Sequence, residues 1–340
     1  MTTDTQQDFF GALEGYYLVS ILEGLHRAGV LIELRAGRPV DEVARELGFD
    51  SVMLRAVVAY VQKRCCGVLL DNGAGFTLSE TSSDLLDAPF LKHLLDQYVG
   101  AFGPCLTDFE QVLADRAVGA RRVNWGRHAL AFSGSDRGAT NDLPLTLFAQ
   151  LGIERVVDIG CGGGGLLLDF AAQCPSARAW GIDSNPAAVA TARHASAAAG
   201  LADRIMFCEG DAFDVATQLG PEALEGAQAI AAFNVANAFF GDSESRGISV
   251  WLHTLRQAFP DRFLLLGDYY GRLNRDRDGA RHRYRRALLH DVVQVLSGQG
   301  VPPADIDAWR QIFASAGCTL VKAFEGEHDE VAHFVYLVQL

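Results

Sequence analysis

Short apolar runs alternate with helical stretches along the sequence from residue 150 onward. This alternation favours a doubly wound, Rossmann-like α/β fold, because each parallel strand needs a crossover helix before the next strand can begin. The last two runs follow each other closely, so they predict a terminal hairpin and a total of seven strands. The predicted strands are "RVVDIG", "ARAWGID", "RIMFCEGD", "AQAIAAFNV", "RFLLLGD", "CTLVKAFEG" and "VAHFVYLVQL".

The first 100 residues have a different pattern, in which apolar residues recur at helical spacing. Residues 9–34 form one predicted helical segment. Two more helices follow on either side of the turn at "GFD", with Asp50 as the N-cap of the second. Asn72-Gly73 then lies between two strand-like runs and predicts a hairpin wing. Together these elements predict a winged helix over residues 1–100.

The remaining residues complete the predicted domain organisation, and 340 residues are enough for two folded domains. Residues 101–145 are mostly helical, with a polar, glycine-rich break at 132–142. We interpret them as a helical linker that lines a pocket. Residues 146–340 form the predicted Rossmann-like domain.

The charge balance disfavours some classes of partner. The chain has 29 basic and 42 acidic residues, and its net charge of -13 repels phosphate backbones and anionic membranes. The second helix of the winged helix offers only Arg55, Lys63 and Arg64, so a dimerisation and lid module is favoured over DNA binding. The N-terminus lacks a signal-peptide pattern, and no apolar run approaches the ~18 residues of a membrane span. We therefore expect a soluble, cytoplasmic protein.

The first strand of the Rossmann-like domain runs into "VVDIGCGGGG", where Gly160, Gly162 and Gly165 satisfy the pattern GxGxxG. Glycines let the backbone approach a nucleotide closely, and many dinucleotide-binding folds share this pattern. Asp158 narrows the choice of ligand. A carboxylate two residues before the first glycine repels a pyrophosphate but attracts a cationic amino-acid tail.

Two further acidic residues end the next two predicted strands. Asp183 is placed to accept from ribose hydroxyls, and Asp211 is placed to accept from an adenine amino group. Each acid on its own is explained equally well as a solvated loop cap, but the ordered set at successive strand ends indicates a nucleotide cofactor. The neighbouring candidates are the cap of the next helix, Ser184 or Asn185, and the amide donor to the adenine ring, Ala212 or Phe213.

Residues 150–270 resemble the class I S-adenosylmethionine-dependent methyltransferases. The family's cofactor positions fall on Asp158, Gly160, Gly162, Asp183 and Asp211. The winged helix extends the resemblance to small-molecule O- and C-methyltransferases that dimerise through such a domain. The resemblance implies S-adenosylmethionine as cofactor, a small-molecule substrate, a homodimer formed through the N-terminal domain, and an active site between the two domains.

The end of predicted strand four, "FNVANAFFGD", departs from the families that the chain resembles. In plant-type O-methyltransferases, the histidine of a His-Asp pair in this place removes the hydroxyl proton. A closer resemblance is to iron-dependent phenylpyruvate C-methyltransferases, in which such a pair and a later histidine hold the metal. In this sequence His290 aligns with the family's later histidine, but Asn237 and Ala238 align with its His-Asp pair. Amides are poor bases and poor iron ligands, so we expect neither hydroxyl methylation nor a tightly bound metal.

Several side chains are candidates for contacts with the acceptor. His290 and Gln294 share one face of a predicted helix, which makes them one wall of a pocket. Equally, His290 is a buried residue held by Asp291 or a backbone carbonyl. An arginine can clamp a carboxylate and an indole can cover a sulfonium, although ordinary packing explains each aromatic as well. The catalytic candidates are Asn234, Asn237, Tyr269, His290, Gln294, Trp125 and Arg127, and Asn234 is also a cofactor-binding candidate.

Two reactions suit a site without a base. The first is methyl transfer to a carbon or nitrogen nucleophile that needs only to be held in line, in bacterial specialised metabolism. The alternative is cyclisation of S-adenosylmethionine to azetidine-2-carboxylate with release of methylthioadenosine. That reaction needs a folded cofactor and polar groups such as Asn234, Asn237 or Tyr269 to orient the amine. A non-catalytic regulator that binds DNA is disfavoured by the charge of the chain.

Overall fold

The computed structural model of the chain divides into two compact units, Met1–Gly103 and Pro104–Leu340, and each is described by itself. No helix within the described residues has the length and apolar character that a membrane crossing requires. The described residues are 3–64, 68–71, 76–80, 83, 93–131, 137–241, 247–273, 285–328 and 331–340.

The first unit is mostly helical. The predicted helical segment 9–34 forms two helices, which are separated at Gly29 with φ +76°. Only glycine adopts this left-handed conformation without strain. The elements are α1 (Thr3–Arg27), α2 (Val30–Arg35), α3 (Val40–Leu47), α4 (Ser51–Arg64), β1 (Leu69–Asp71), β2 (Phe76–Leu78) and a π-helical segment, Leu95–Ala101.

Helices α3 and α4 and the strand pair β1–β2 follow one another in the order that a winged helix requires. Asp50 caps α4 as predicted, since its Oδ1 accepts from the amide of Met53 at 2.8 Å. Strands β1 and β2 pair antiparallel, with Leu69 opposite Leu78. The predicted turn at Asn72-Gly73 lies outside the described residues, and the winged helix stays a prediction.

The second unit is built on a seven-stranded sheet in the order β5-β4-β3-β6-β7-β9-β8. The first five of its strands in the chain are parallel, and β9 pairs antiparallel with both β7 and β8, which confirms the predicted fold and terminal hairpin. The strands are β3 (Arg155–Ile159), β4 (Arg178–Asp183), β5 (Ile205–Glu209), β6 (Ala229–Phe233), β7 (Phe263–Tyr269), β8 (Thr319–His328) and β9 (Val331–Gln339).

Successive residues of a strand point to opposite faces of the sheet. Apolar residues point to both faces here, and helices cover both. Val156 belongs to one buried cluster and Val157 to the other. Residues 137–142 of the predicted break at 132–142 are helical, which corrects that part of the prediction, and residues 132–136 lie outside the described residues. The helices are α5 (Phe109–Ala114), α6 (Arg116–Arg122), α7 (Trp125–Ala131), α8 (Arg137–Gln150), α9 (Gly165–Gln173), α10 (Pro186–Ala198), α11 (Val215–Gln218), α12 (Pro221–Gly226), α13 (Ile248–Ala258), α14 (Arg285–Leu296) and α15 (Ile306–Ser315), with 3₁₀ segments Gly103–Leu106 and Ala236–Phe240.

The carboxyl ends of the five parallel strands lie at one edge of the sheet, where ligands bind in folds of this type. The loops that follow β3, β4, β5 and β6 carry the predicted cofactor residues. Tyr269 ends β7 at the same edge. The topology therefore brings together residues that are more than 100 positions apart in the sequence.

Candidate active site

The loop after β3 turns sharply at three glycines with positive φ. Gly160, Gly162 and Gly164 have φ values of +73°, +54° and +78°. A Cβ on Gly164 would lie 2.6 Å from the ring of Phe207, whereas at Gly162 it would meet no heavy atom of the described chain within 4 Å. Gly162 is thus the point at which a ligand can approach the backbone. Gly165, the third glycine of the predicted pattern, instead begins α9.

Asp183 ties the loops after β3 and β4 together. Its Oδ2 accepts from the amide of Gly162 at 2.8 Å, and its Oδ1 accepts from the amide of Asn185 at 2.8 Å. A carboxylate has about four lone-pair positions, so Asp183 keeps acceptor capacity for a ligand hydroxyl. Asn185, rather than Ser184, caps α10, since its side chain accepts from the amide of Ala187 at 3.0 Å.

A cavity of about 230 Å³ lies between the ends of β4, β5 and β6. Its volume is below the roughly 300–1,000 Å³ of whole small-molecule sites, and it suits one part of a ligand, such as a flat ring system. The rings of Phe213 and Phe239 form an aromatic pair in its wall, with centroids 5.1 Å apart. The cavity is lined by Ser184, Asp211, Ala212, Phe213, Val235, Ala238 and Phe239.

Two backbone groups in this cavity wall have partners within the protein. The Phe213 amide donates to Asp211 Oδ1 at 2.9 Å, and the carbonyl of Ala212 accepts from the indole nitrogen of Trp251 at 3.1 Å. Of the two alternatives for an amide donor to adenine, this arrangement favours the amide of Ala212.

Asp158 and Trp125 approach these loops from different sides. Asp158 is buried in β3, where it pairs with Gly181 of β4 and Ala231 of β6. The Trp125 carbonyl accepts from the side-chain amide of Asn185 at 3.4 Å, which places the start of α7 beside the loop after β4. The indole nitrogen of Trp125 donates to a backbone carbonyl, and the ring contacts His128. Arg127 lies on the same helix, and its amide donates to the side chain of Asn124.

The loop after β6 holds Asn234 and Asn237 in different environments. Asn234 has φ +54°, and its amide donates to the carbonyl of Gly267 at 2.8 Å. Asn237 is buried, and its side-chain nitrogen donates to Gln299 Oε1 at 3.0 Å. The Asn237 carbonyl accepts from the amide of Gly300. The Asn237 side chain therefore connects this loop to the one after α14.

His290 and Gln294 lie together on α14, as their spacing predicted. The Gln294 amide nitrogen is 3.1 Å from His290 Nε2, and the Tyr269 ring packs edge-on against the imidazole at 4.6 Å between centroids. Asp291, one of the two groups suggested as a partner of a buried His290, accepts at Oδ2 from the amides of Arg272 and Leu273 at 2.6 and 2.7 Å. Burial raises the pKa of Asp291, and these amides oppose the rise.

Asp268, at the end of β7, is a site residue that the sequence reasoning did not single out. Its side chain is buried, Oδ2 accepts from the amide of Asn237 at 3.1 Å, and Oδ1 accepts from the amide of Tyr269 at 2.9 Å. Burial raises the pKa of Asp268 to about 7. The available signal was an acidic residue directly after the apolar run "RFLLLG".

A larger cleft, of about 430 Å³, lies on the β8–β9 side of the sheet. It contains none of the strand-end motif residues, and its Tyr270 hydroxyl donates to Glu325. We place the candidate site at the smaller cavity, because Ser184 and Asp211 line it, and Asp183, next to Ser184, is bonded to the glycine turn through the Gly162 amide. Within the described residues, no group of three or more His, Cys, Asp or Glu side chains is arranged to hold a metal ion.

Part of the second unit matches a known protein family. Residues 156–247 match the family described as a methyltransferase domain. The methyltransferase ungE' of Aspergillus campestris is 31% identical over 177 residues, which are 50% of this chain and 49% of that protein. The chain thus matches about half the length of this relative.

Solved structures match over nearly the whole chain. The mitomycin 7-O-methyltransferase MmcR has 20% identity and a TM-score of 0.69, with 99% of this chain and 98% of that chain covered. PigF, solved with SAH, has 16% identity and a TM-score of 0.71, with 99% of both chains covered. At these identities the likeness establishes the fold.

The fold and the strand-end loops define a class of nucleotide-binding α/β domain. Residues 156–247 match the methyltransferase-domain family, and the cofactor is S-adenosylmethionine. The residues fit that cofactor, since Gly162 leaves room for backbone contact, Asp183 keeps acceptor capacity, and the cavity lined by Phe213 and Phe239 suits a flat ring.

Proposed function

We propose that the chain transfers a methyl group from S-adenosylmethionine to a carbon or nitrogen atom of a small molecule, without a histidine base or a metal. One observation carries this proposal. The position after β6 where related enzymes place a base is occupied by Asn237, whose amide is buried and donates to Gln299. An amide has no useful proton affinity, so the acceptor must be a nucleophile that reacts without deprotonation by this loop.

The cofactor is assigned to the strand-end loops. Asp158, two residues before Gly160, is the proposed partner of the amino-acid tail, and Asp183 accepts from the ribose hydroxyls. Asp211 accepts from the adenine amino group, with the ring against the Phe213–Phe239 pair in the cavity wall. The remaining proposed contacts are Gly160, Gly162, Ser184, Ala212 and Asn234.

The acceptor is assigned to the side chains around Tyr269. Tyr269, His290 and Gln294 form a contacting group at the end of β7, beside the strand β6, which Asn234 follows. Trp125 and Arg127 lie on α7, which adjoins the loop after β4. We assign these groups to orientation of the nucleophile and exclusion of water, which together supply most of the rate when no base takes part.

When bound, S-adenosylmethionine supplies an electrophilic methyl group on a sulfonium ion. An enolised 2-oxo acid, an electron-rich aromatic carbon and a neutral amine each carry an electron pair ready to accept it. The side-chain nitrogen of Gln294 lies 3.1 Å from His290 Nε2, and the Tyr269 ring packs against the same imidazole.

The test separates methyl transfer from cyclisation. Purified protein is incubated with S-adenosylmethionine alone and with 2-oxo acids, electron-rich aromatics or amines, and products are followed by mass spectrometry. We expect S-adenosylhomocysteine and a methylated product only when an acceptor is present. A metal chelator should not change this result. Methylthioadenosine released without an acceptor would establish cyclisation instead. Activity that is lost in chelator and restored by iron would contradict the metal-free mechanism.

A further inference from the structure

Asp268 connects two strand ends through peptide groups. The 3₁₀ segment Ala236–Phe240 has no side-chain cap of its own, and its first amides need acceptors. The carboxylate of Asp268, from the neighbouring strand, accepts from the amide of Asn237 and is stabilised by the amides of Ala236 and Tyr269. Within the described chain, the hydrogen-bond partners of Asp268 are peptide amides, so the interaction is between one carboxyl group and peptide dipoles.

The anchored segment forms one side of the cofactor cavity. Val235, Ala238 and Phe239 line that cavity, and they flank Asn237, whose amide Asp268 holds. The peptide of Asn237 cannot shift without moving Ala238, since the two residues are adjacent. The position of the cavity wall therefore depends on the Asp268 carboxylate.

We infer that Asp268 is a positioning residue for the cofactor. It holds the 236–240 segment against β7, and in this way Val235, Ala238 and Phe239 keep the nucleoside cavity open. The inference rests on the proposed function only for the identity of the cofactor. It assigns Asp268 no contact with the acceptor.

Binding of S-adenosylhomocysteine, measured by titration calorimetry, tests this role in the full chain. Asp268→Asn keeps the shape of the side chain but leaves one acceptor oxygen where the carboxylate has two, and it turns an NH₂ group toward a peptide N–H. We expect the dissociation constant at pH 8 to rise about tenfold. An unchanged dissociation constant in a folded variant would overturn the inference.

The matched control is Asp291→Asn. Asp291 is also a fully buried carboxyl group that accepts from two loop amides, but its loop does not line the cofactor cavity. We expect this variant to bind S-adenosylhomocysteine as the wild type does. Equal weakening in both variants would show a general loss of packing and would overturn the specific role of Asp268.

A pH profile provides a readout that a purely structural role would not change. Methylthioadenosine has no amino-acid tail, so its affinity reports the protein's own titration. We expect methylthioadenosine to bind the wild type more weakly at pH 6 than at pH 8, because Asp268 takes up a proton in this range. This measurement needs only the wild type, so it tests the inference even if Asp268→Asn does not fold. A profile flat over this range would overturn the inference. Cofactor binding without methylation of any acceptor would contradict the proposed function and leave the inference standing.

Discussion

At the scale of single residues, the buried carboxyl group of Asp268 couples protonation to folding. Burial raises its pKa to about 7 from an ordinary value of 3.8. Between these two pKa values the folded chain keeps a proton that the unfolded chain has lost. The stability contributed by the protonated Asp268 is therefore fully present below pH 3.8 and is lost as the pH rises through 7. We expect the free energy of unfolding to fall by about 3 kcal/mol from this group between pH 5 and pH 8.

Urea unfolding of the wild type and of Asp268→Asn at several pH values measures this contribution. The variant carries no ionisable group at this position, so its stability should change less over the same range. The two proteins should differ most above pH 7, where the wild type must bury a charge. Parallel pH curves for the two proteins would show that the carboxyl group of Asp268 does not titrate in this range.

The glycines of the turn after β3 allow a second comparison between single residues. Both Gly162 and Gly164 have positive φ, so alanine costs about 1–2 kcal/mol of stability at either position. At Gly164 the new methyl group would also meet the Phe207 ring at 2.6 Å. We expect Gly164→Ala to lower the melting temperature clearly more than Gly162→Ala. In contrast, Gly162→Ala should weaken S-adenosylhomocysteine binding more than its smaller stability cost explains.

Residue patterns predicted the cofactor acids better than they predicted Asp268. Asp183 follows a strand-like run and precedes the start of a helix, and this local pattern indicates its position at a strand end. Asp268 also follows a strand-like run, but the amides that it holds belong to residues 31 and 32 positions earlier. No local pattern links the two segments. The role of Asp268 becomes visible only when β6 and β7 are placed side by side.

At the scale of elements, the close packing of α6 against α14 fixes the helix that carries His290. A Cβ on Gly119 of α6 would lie 1.9 Å from the backbone oxygen of Leu296. Backbone cannot move aside as a flexible side chain can, so Gly119→Ala forces the helices apart. We expect a loss of about 3 kcal/mol in the free energy of unfolding.

The control for this prediction is Gly126→Ala, where the nearest atom is the side chain of Asn124 at 3.5 Å, an ordinary contact. Chemical denaturation of both variants provides the measurement. If Gly119→Ala unfolds at the same denaturant concentration as Gly126→Ala, the two helices are not in close contact in solution.

The strands of the second unit were predictable because their apolar runs and helical connections repeat regularly. The environment of Asn237 was not predictable, because it depends on contacts between elements. Its partners Asp268 and Gln299 are 31 and 62 residues further along the chain. The sequence therefore predicted an amide in place of a base after strand four. The structure adds that the Asn237 side chain is held by Gln299.

At the scale of the whole molecule, helix α1 presents an apolar surface to solvent. Phe9, Leu13, Tyr16 and Tyr17 are spaced to share one face of the helix and are 44–68% exposed in the chain described by itself. Contiguous apolar surface of this kind is unusual on a monomer and marks an interaction site. These residues support the proposal that the protein is a homodimer formed through its N-terminal domain.

Light scattering coupled to size exclusion tests this proposal. The double variant Phe9→Glu and Tyr17→Glu places two charges within the apolar face of α1, and burying either charge in an interface is unfavourable. We expect the wild type to elute as a dimer and the double variant as a monomer with an unchanged melting temperature for the second unit. Leu113→Glu is the control, because Leu113 is 68% exposed and belongs to the second unit. A monomeric wild type, or a double variant that stays dimeric, would show that α1 does not form the dimer interface.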